Sequence, residues 1–215
     1  MLKKQWLAYT FGLAGLISFP AQADLMADVH ALQTGWAKTN YTLEEDAQKL
    51  AFDQLVTQAQ QVTSEYASAP EGWVWLGIIQ STYAGVAGPF DALSFAEGAK
   101  ASFEKGIEIN GAALHGAAYT SLGTLYFKVP GWPLGFGDDD KAAELLKKGV
   151  ELNPDGIDSH YFYADYLIEQ DEYKQAKAHL LKAQSAPARP NRPLADQGRQ
   201  GEIKILLKMV NEELN

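Results

Sequence analysis

The sequence predicts an all-α fold, a solenoid of stacked helical hairpins closed by a C-terminal capping helix. Three observations carry this reading. Between Gly111 and Pro187 a hairpin pattern occurs twice in succession: Ala142 and Ala176, Leu146 and Leu180, and Gly149 and Ala183 all stand 34 residues apart. In both copies a large-small pair on a first helix, Leu122-Gly123 or Tyr163-Ala164, precedes small residues on a second. Antiparallel helices reach contact distance only where Gly or Ala on one receives a bulky side chain of the other. The chain then ends with Ile203, Leu206, Leu207 and Val210 on a single helical stripe. No hairpin of this kind buries its apolar face alone, so stacking makes the core and a last helix must cover the end.

The 34-residue interval is that of tetratricopeptide (TPR) repeats, and it organises the chain in order. Residues 1–23 have the form of a secretory signal peptide: Lys3 and Lys4, an apolar stretch from Trp6 to Phe19 too short to span a bilayer, and the small-x-small site Ala21-Gln22-Ala23. Residues 24–215 are expected to be one TPR-like domain with hairpins at about 25–65, 71–109, 112–153 and 156–186 and a capping helix at about 195–213. The opening hairpin is atypical. Leu25, Val29, Leu32 and Trp36 mark its first helix, and Thr42 with Glu45 reads as a capping box for its second. A looser copy follows, with Trp73, Leu76 and Gly77 facing Ala99, Phe103 and Gly106 across an expected insertion, Tyr83 to Ser94. The central copy carries a second insertion, residues 128–140, and the last copy has only the short turn 169–172. Enlarging Gly149 or Ala176 to Leu is expected to overpack a helix crossing and cost roughly 1–3 kcal/mol, readable by thermal melting.

Charge and composition narrow the function. Eighteen basic and 27 acidic residues give −9, and loss of residues 1–23, which hold two lysines and no acid, leaves −11. Such a surface repels phosphate backbones, so nucleic acid is not an expected partner. With no cysteine there is neither a disulfide framework nor a lipidation site after the apolar stretch. The expected product is exported, periplasmic and soluble, is not a lipoprotein, and has no membrane span after signal cleavage.

The PGWPLGFGD loop and the RPNRPLAD segment are more specific than a generic repeat. Over roughly Trp73 to Ile203 the chain resembles the T component of TRAP-type solute transporters and a wider set of bacterial envelope proteins similar to it. That resemblance implies an exported, repeat-built helical protein working beside a periplasmic solute-binding protein. It also implies binding and delivery of a small apolar ligand rather than catalysis.

Candidate site residues each admit two roles. Trp132 and Phe136 sit in a loop stiffened by prolines and turned by glycines; they either plug it into the core or line a ligand slot or partner-facing anchor. The acids that follow, Asp138 and Asp139, suit an N-cap and oppose a phosphate. Arg189, Arg192 and Arg199 concentrate positive charge on an acidic chain. They either hold a carboxylate of a ligand or partner, or pair with Asp196 and the acids of a neighbouring helix. On the first helix of the last hairpin, Tyr161 and Asp165 are expected to face a concave groove while Tyr163 and Leu167 face the core.

Catalytic patterns do not emerge. His30, His115, His160 and His179 are scattered, and neither an HExxH, a GxSxG elbow nor a phosphate loop occurs. No cofactor and no metal are expected. Three functions are weighed: a periplasmic binding protein or transport accessory, a protein-protein scaffold using the concave face, and a hydrolase that would need a carboxylate pair assembled by the fold.

Overall fold

A computed structural model of the chain describes residues 20–215; the expected signal peptide lies almost wholly outside them. The described residues form nine α-helices: α1 (Pro20–Thr42), α2 (Glu45–Glu65), α3 (Pro70–Val86), α4 (Pro89–Asn110), α5 (Ala117–Lys128), α6 (Asp139–Leu152), α7 (Ile157–Glu169), α8 (Tyr173–Gln184) and α9 (Pro193–Glu213). A short 3-10 turn, Ala113–Gly116, precedes α5. The described residues contain no strand, so the fold is all-α.

Local chemistry sets the helix starts. Pro70, Pro89 and Pro193 open α3, α4 and α9, where a missing N–H costs nothing and the ring fixes a helical φ. At α6 the N-cap is Asp138, whose carboxylate accepts from the Lys141 backbone N–H at 3.0 Å. Two starts differ from the sequence reading. Thr42 does not cap α2: it ends α1, and its hydroxyl donates back to the Lys38 carbonyl at 2.8 Å. Nothing in Asn40-Tyr41 stops a helix, so α1 runs through both. The region 83–94 is not an inserted loop either. It lengthens α3 and α4, which are interrupted only at Ala87-Gly88, just before the proline.

Consecutive helices pack against one another, most extensively α3 on α4, α5 on α6 and α7 on α8. Two apolar cores result. One gathers Val29, Leu32, Phe52, Ile79 and Ala195; the other gathers Phe103, Leu122, Leu146, Tyr163, Leu180 and Ile203. Gly149 shows how tightly the crossings close, since a Cβ there would strike the Thr120 side chain.

The odd-numbered helices also touch in series, α1 on α3, α3 on α5, α5 on α7 and α7 on α9, and α9 reaches back to α1. Gly198 makes that last contact possible, because a Cβ on it would collide with the Tyr41 ring. The C-terminal helix therefore does more than cover α8. It joins the two ends of the helical array and borders the space between them.

Candidate functional site

The odd-numbered helices surround a cavity of about 940 Å³, at the upper end of the range for small-molecule sites. Its apolar wall is built from Trp36 of α1, Trp75 and Ile78 of α3, Leu93 and Ala96 of α4, Leu125 of α5 and Phe162 of α7. Leu114 and His115 of the 3-10 turn also line it, both in the left-handed backbone region (φ 49° and 55°), an uncommon conformation for residues other than glycine. At one end the wall continues onto Val129, Pro130 and Leu134 of the loop before α6; at the other lie Asp158, Arg189, Arg192, Arg199 and Glu202.

The polar end is organised by the segment before α9. Asp196 accepts from the Arg189 backbone N–H at 2.7 Å and from its Nε at 2.6 Å. Arg189 also gives a guanidinium N–H to Asp158 at 2.6 Å. Asp158, in the first turn of α7, takes a second bond from Arg199 Nε at 2.9 Å, and Arg199 completes its pairing with Glu202. Arg199 is only 6% exposed; its guanidinium lies over the Tyr161 and Phe162 rings at 4.1 and 4.5 Å. Burial alone would raise the Asp158 carboxyl, but Arg199, Arg189 and Arg192 outweigh it and hold it well below the usual carboxylate range. Asp158 is thus a fixed anion, unsuited to general acid or base work at neutral pH.

Arg192 stands apart from this network. Its guanidinium has no hydrogen bond or ion pair among the described residues, and of its three nitrogens only Nε is shut off from solvent. It lies 5.1 Å from the centroid of the Trp75 ring. Trp75, 2% exposed, is itself unsatisfied: its indole N–H has no acceptor, whereas the Trp36 indole donates to Thr82 at 2.9 Å. Two N–H donors without partners therefore border the same end of the cavity.

Four hydroxyls of the wall are engaged with backbone carbonyls. Ser81 and Thr82 donate to the Ile78 carbonyl, Thr124 to Thr120, and Ser159 to Asn153. The first three are bonds within a helix and the fourth reaches back to the end of α6; a bond donated to a carbonyl gives these four oxygens no activating base. Among the described residues no group of three His, Cys, Asp or Glu side chains is placed to hold a metal ion.

Of the six residues singled out in the sequence, Arg192 and Arg199 line the cavity. Trp132 is 90% exposed. Phe136 packs edge-on against Tyr126 at 5.6 Å, on the core side of the same loop. Tyr161 lies beneath Arg199, and Asp165 is held by Lys128 at 3.1 Å. Sequence reasoning passed over Trp75 and Leu134, while Phe162, part of the aromatic run 160–166, does line the cavity. Trp75 sits two residues after a repeat-signature tryptophan, and only its lack of an acceptor in the fold distinguishes it. It also passed over a pairing of histidines: His160 Nδ1 meets His179 Nδ1 at 2.8 Å while His160 Nε2 meets the Pro154 carbonyl at 2.7 Å.

Compared with known proteins, the chain matches no protein-family model and no curated protein. Among the described residues no helix is long and apolar enough to cross a membrane.

Proposed function

We propose that this chain is a non-catalytic binding protein that holds a small, mainly apolar ligand between its odd-numbered helices. The observation that carries the reading is the cavity of about 940 Å³ with its largely apolar wall. A scaffold that grips an extended partner would instead present an open groove with a continuous exposed apolar stripe. The repeat interval and the serial contacts of the odd-numbered helices support a TPR-like solenoid curled until its ends meet. The signal-like N-terminus supports a periplasmic address. The resemblance to the T component of TRAP-type transporters then supplies a context, in which the ligand passes to or from a periplasmic solute-binding protein. Trp132 and Leu134, 90% and 72% exposed on the loop at one end of the cavity, favour that loop as the place where such a partner docks.

The test is binding of a neutral apolar fluorophore, N-phenyl-1-naphthylamine, to the purified protein and to Ser121→Trp. Ser121 lines the cavity and is half-buried, so an indole there fills ligand space without displacing the core. Saturable fluorescence enhancement that Ser121→Trp abolishes, with its melting temperature kept, is the expected result. Enhancement unchanged in the variant would remove the cavity from consideration.

A further inference from the structure

We infer that the ligand of this cavity carries a single carboxylate head, received by the Arg192 guanidinium and the Trp75 indole N–H. This rests on the binding reading above and names the chemistry the site selects.

Three arginines and three acids meet at this end of the cavity, but they do not pair one to one. Arg189 takes Asp158 and Asp196; Arg199 takes Asp158 and Glu202. Every acid is consumed and Arg192 is left over. Burial pushes its guanidinium down from the ordinary arginine value, which still leaves it charged at neutral pH. Arg192 is half-buried, with its terminal nitrogens open to solvent and no acceptor on the protein, and the buried Trp75 indole N–H beside it also lacks an acceptor, which is costly. Here the two occur side by side, 5.1 Å from guanidinium carbon to ring centroid, on the wall of a ligand-sized space. A carboxylate placed there matches the flat fork of the arginine, and the indole N–H is the second donor assigned to it.

The same pairing limits the charge of the ligand. With three cations and three anions the cluster is formally neutral, so a ligand anion meets no net attractive field. Local hydrogen bonds select it, and a second negative charge would face Asp158 and Glu202 with no donor left to meet it. That favours a monoanion over a phosphate monoester. The body of the ligand is set by the opposite direction of the cavity, which runs over Ile78, Leu125 and Phe162 to the loop residues Val129 and Leu134. An aliphatic or aromatic monocarboxylate fits this combination.

The experiment compares dodecanoate, dodecanol and dodecyl phosphate as competitors of N-phenyl-1-naphthylamine on wild type, Arg192→Met and Trp75→Phe, each checked by thermal melting. Wild type is expected to prefer dodecanoate to dodecanol by about tenfold or more, the scale of a charge-assisted hydrogen bond. Arg192→Met is expected to erase that preference while dodecanol binding stays within about threefold. Trp75→Phe, which keeps the ring and loses only the N–H, should reduce the preference by a smaller factor. Equal binding of acid and alcohol by wild type, or a preference untouched by Arg192→Met, overturns the head-group assignment while the neutral fluorophore still reports a working cavity. Dodecyl phosphate competing better than dodecanoate overturns it in favour of a phosphate head. Failure of the fluorophore itself to bind sinks the binding reading and this inference with it.

Discussion

The two ends of the cavity are built on opposite plans. The loop at Val129–Asp138 satisfies itself: Gly137 N–H donates to the Pro130 carbonyl at 2.9 Å, Leu134 N–H to Gly131 at 3.1 Å, and Asp138 N–H to Tyr126 at 2.9 Å. Its aromatics diverge, with Phe136 against Tyr126 and Trp132 in solvent, so the loop gives the cavity only aliphatic surface. The segment at Arg189–Glu202 is almost saturated but leaves one guanidinium unpaired. A self-satisfied loop shapes a space, and an incomplete network marks where a ligand's polar group belongs. Of the conspicuous aromatic residues Phe136 packs the loop and Trp132 faces solvent, whereas the unpaired group on the cavity wall belongs to an arginine that looks like its neighbours.

The strongest way to separate the two kinds of arginine is to remove each. Arg199→Met removes a buried guanidinium from Asp158, which keeps Arg189, and from Glu202, both acids being about a third exposed; we expect a loss of roughly 1–3 kcal/mol in urea unfolding, the scale of charge-assisted hydrogen bonds lost from a partly solvated network. Arg192→Met removes a charge that has no partner and should leave stability unchanged or raise it. Equal losses for both would mean that Arg192 is structural and would erase the contrast between them.

On the loop side, Phe136→Ala should cost about 1–2 kcal/mol, less than a fully buried phenylalanine because this ring is only half-buried. Its effect on fluorophore binding should be small and indirect. A binding loss as large as that of Ser121→Trp, at intact stability, would put Phe136 back among the ligand-contacting residues.

The histidine pair tests acid response away from both ends. The donors and acceptors close in one tautomer: His160 Nε2–H donates to Pro154 and His179 Nδ1–H donates to His160 Nδ1. Burial pushes both rings down, His179 to about 4. Between the ordinary histidine value of about 6.5 and about 4 the unfolded chain binds more protons than the folded one. Stability therefore falls as pH drops through that window. Asp158 acts below it, since its lowered carboxyl contributes stability above the unfolded value near 3.9 that is lost only under stronger acid. Melting temperature should fall between pH 6.5 and 4.5, and His179→Phe should flatten that slope. An unchanged slope in the variant would assign the acid response elsewhere.

What was legible in the sequence follows from what is local. Helix positions were readable because apolar spacing and the Asp138 cap act within a turn or two of the chain, whereas Pro89 and Pro193, which open α4 and α9, read as loop residues. Two boundaries were misread for the same reason: Thr42 resembles a cap only if a helix stops at Asn40, and no residue there stops it. The cavity was not legible, because it depends on α9 reaching α1 through Gly198 and Tyr41, far apart in the chain. Arg189, Arg192 and Arg199 were visible as a group, and pairing with Asp196 and with an acid on a neighbouring helix was an open alternative. Which of the three is left unpaired was not visible, since it turns on Asp158, 31 residues from Arg189. The histidine pair was hidden likewise, one ring on α7 and the other on α8.

The smallest expected effect is the most informative about the loop. Trp132→Ala should change stability by no more than about 0.5 kcal/mol, because a side chain 90% exposed gives up almost no buried surface. The fluorophore should bind as in wild type, since Trp132 does not line the cavity. If the loop docks a partner, the substitution should instead weaken capture of a solute-binding protein from the same envelope, measured with the tagged protein at matched concentration, because exposed tryptophans are frequent anchors of protein interfaces. A drop in stability or in fluorophore binding would show that Trp132 folds over the cavity. That would make the loop a part of the ligand site after all, and the two ends would then differ in chemistry but not in role.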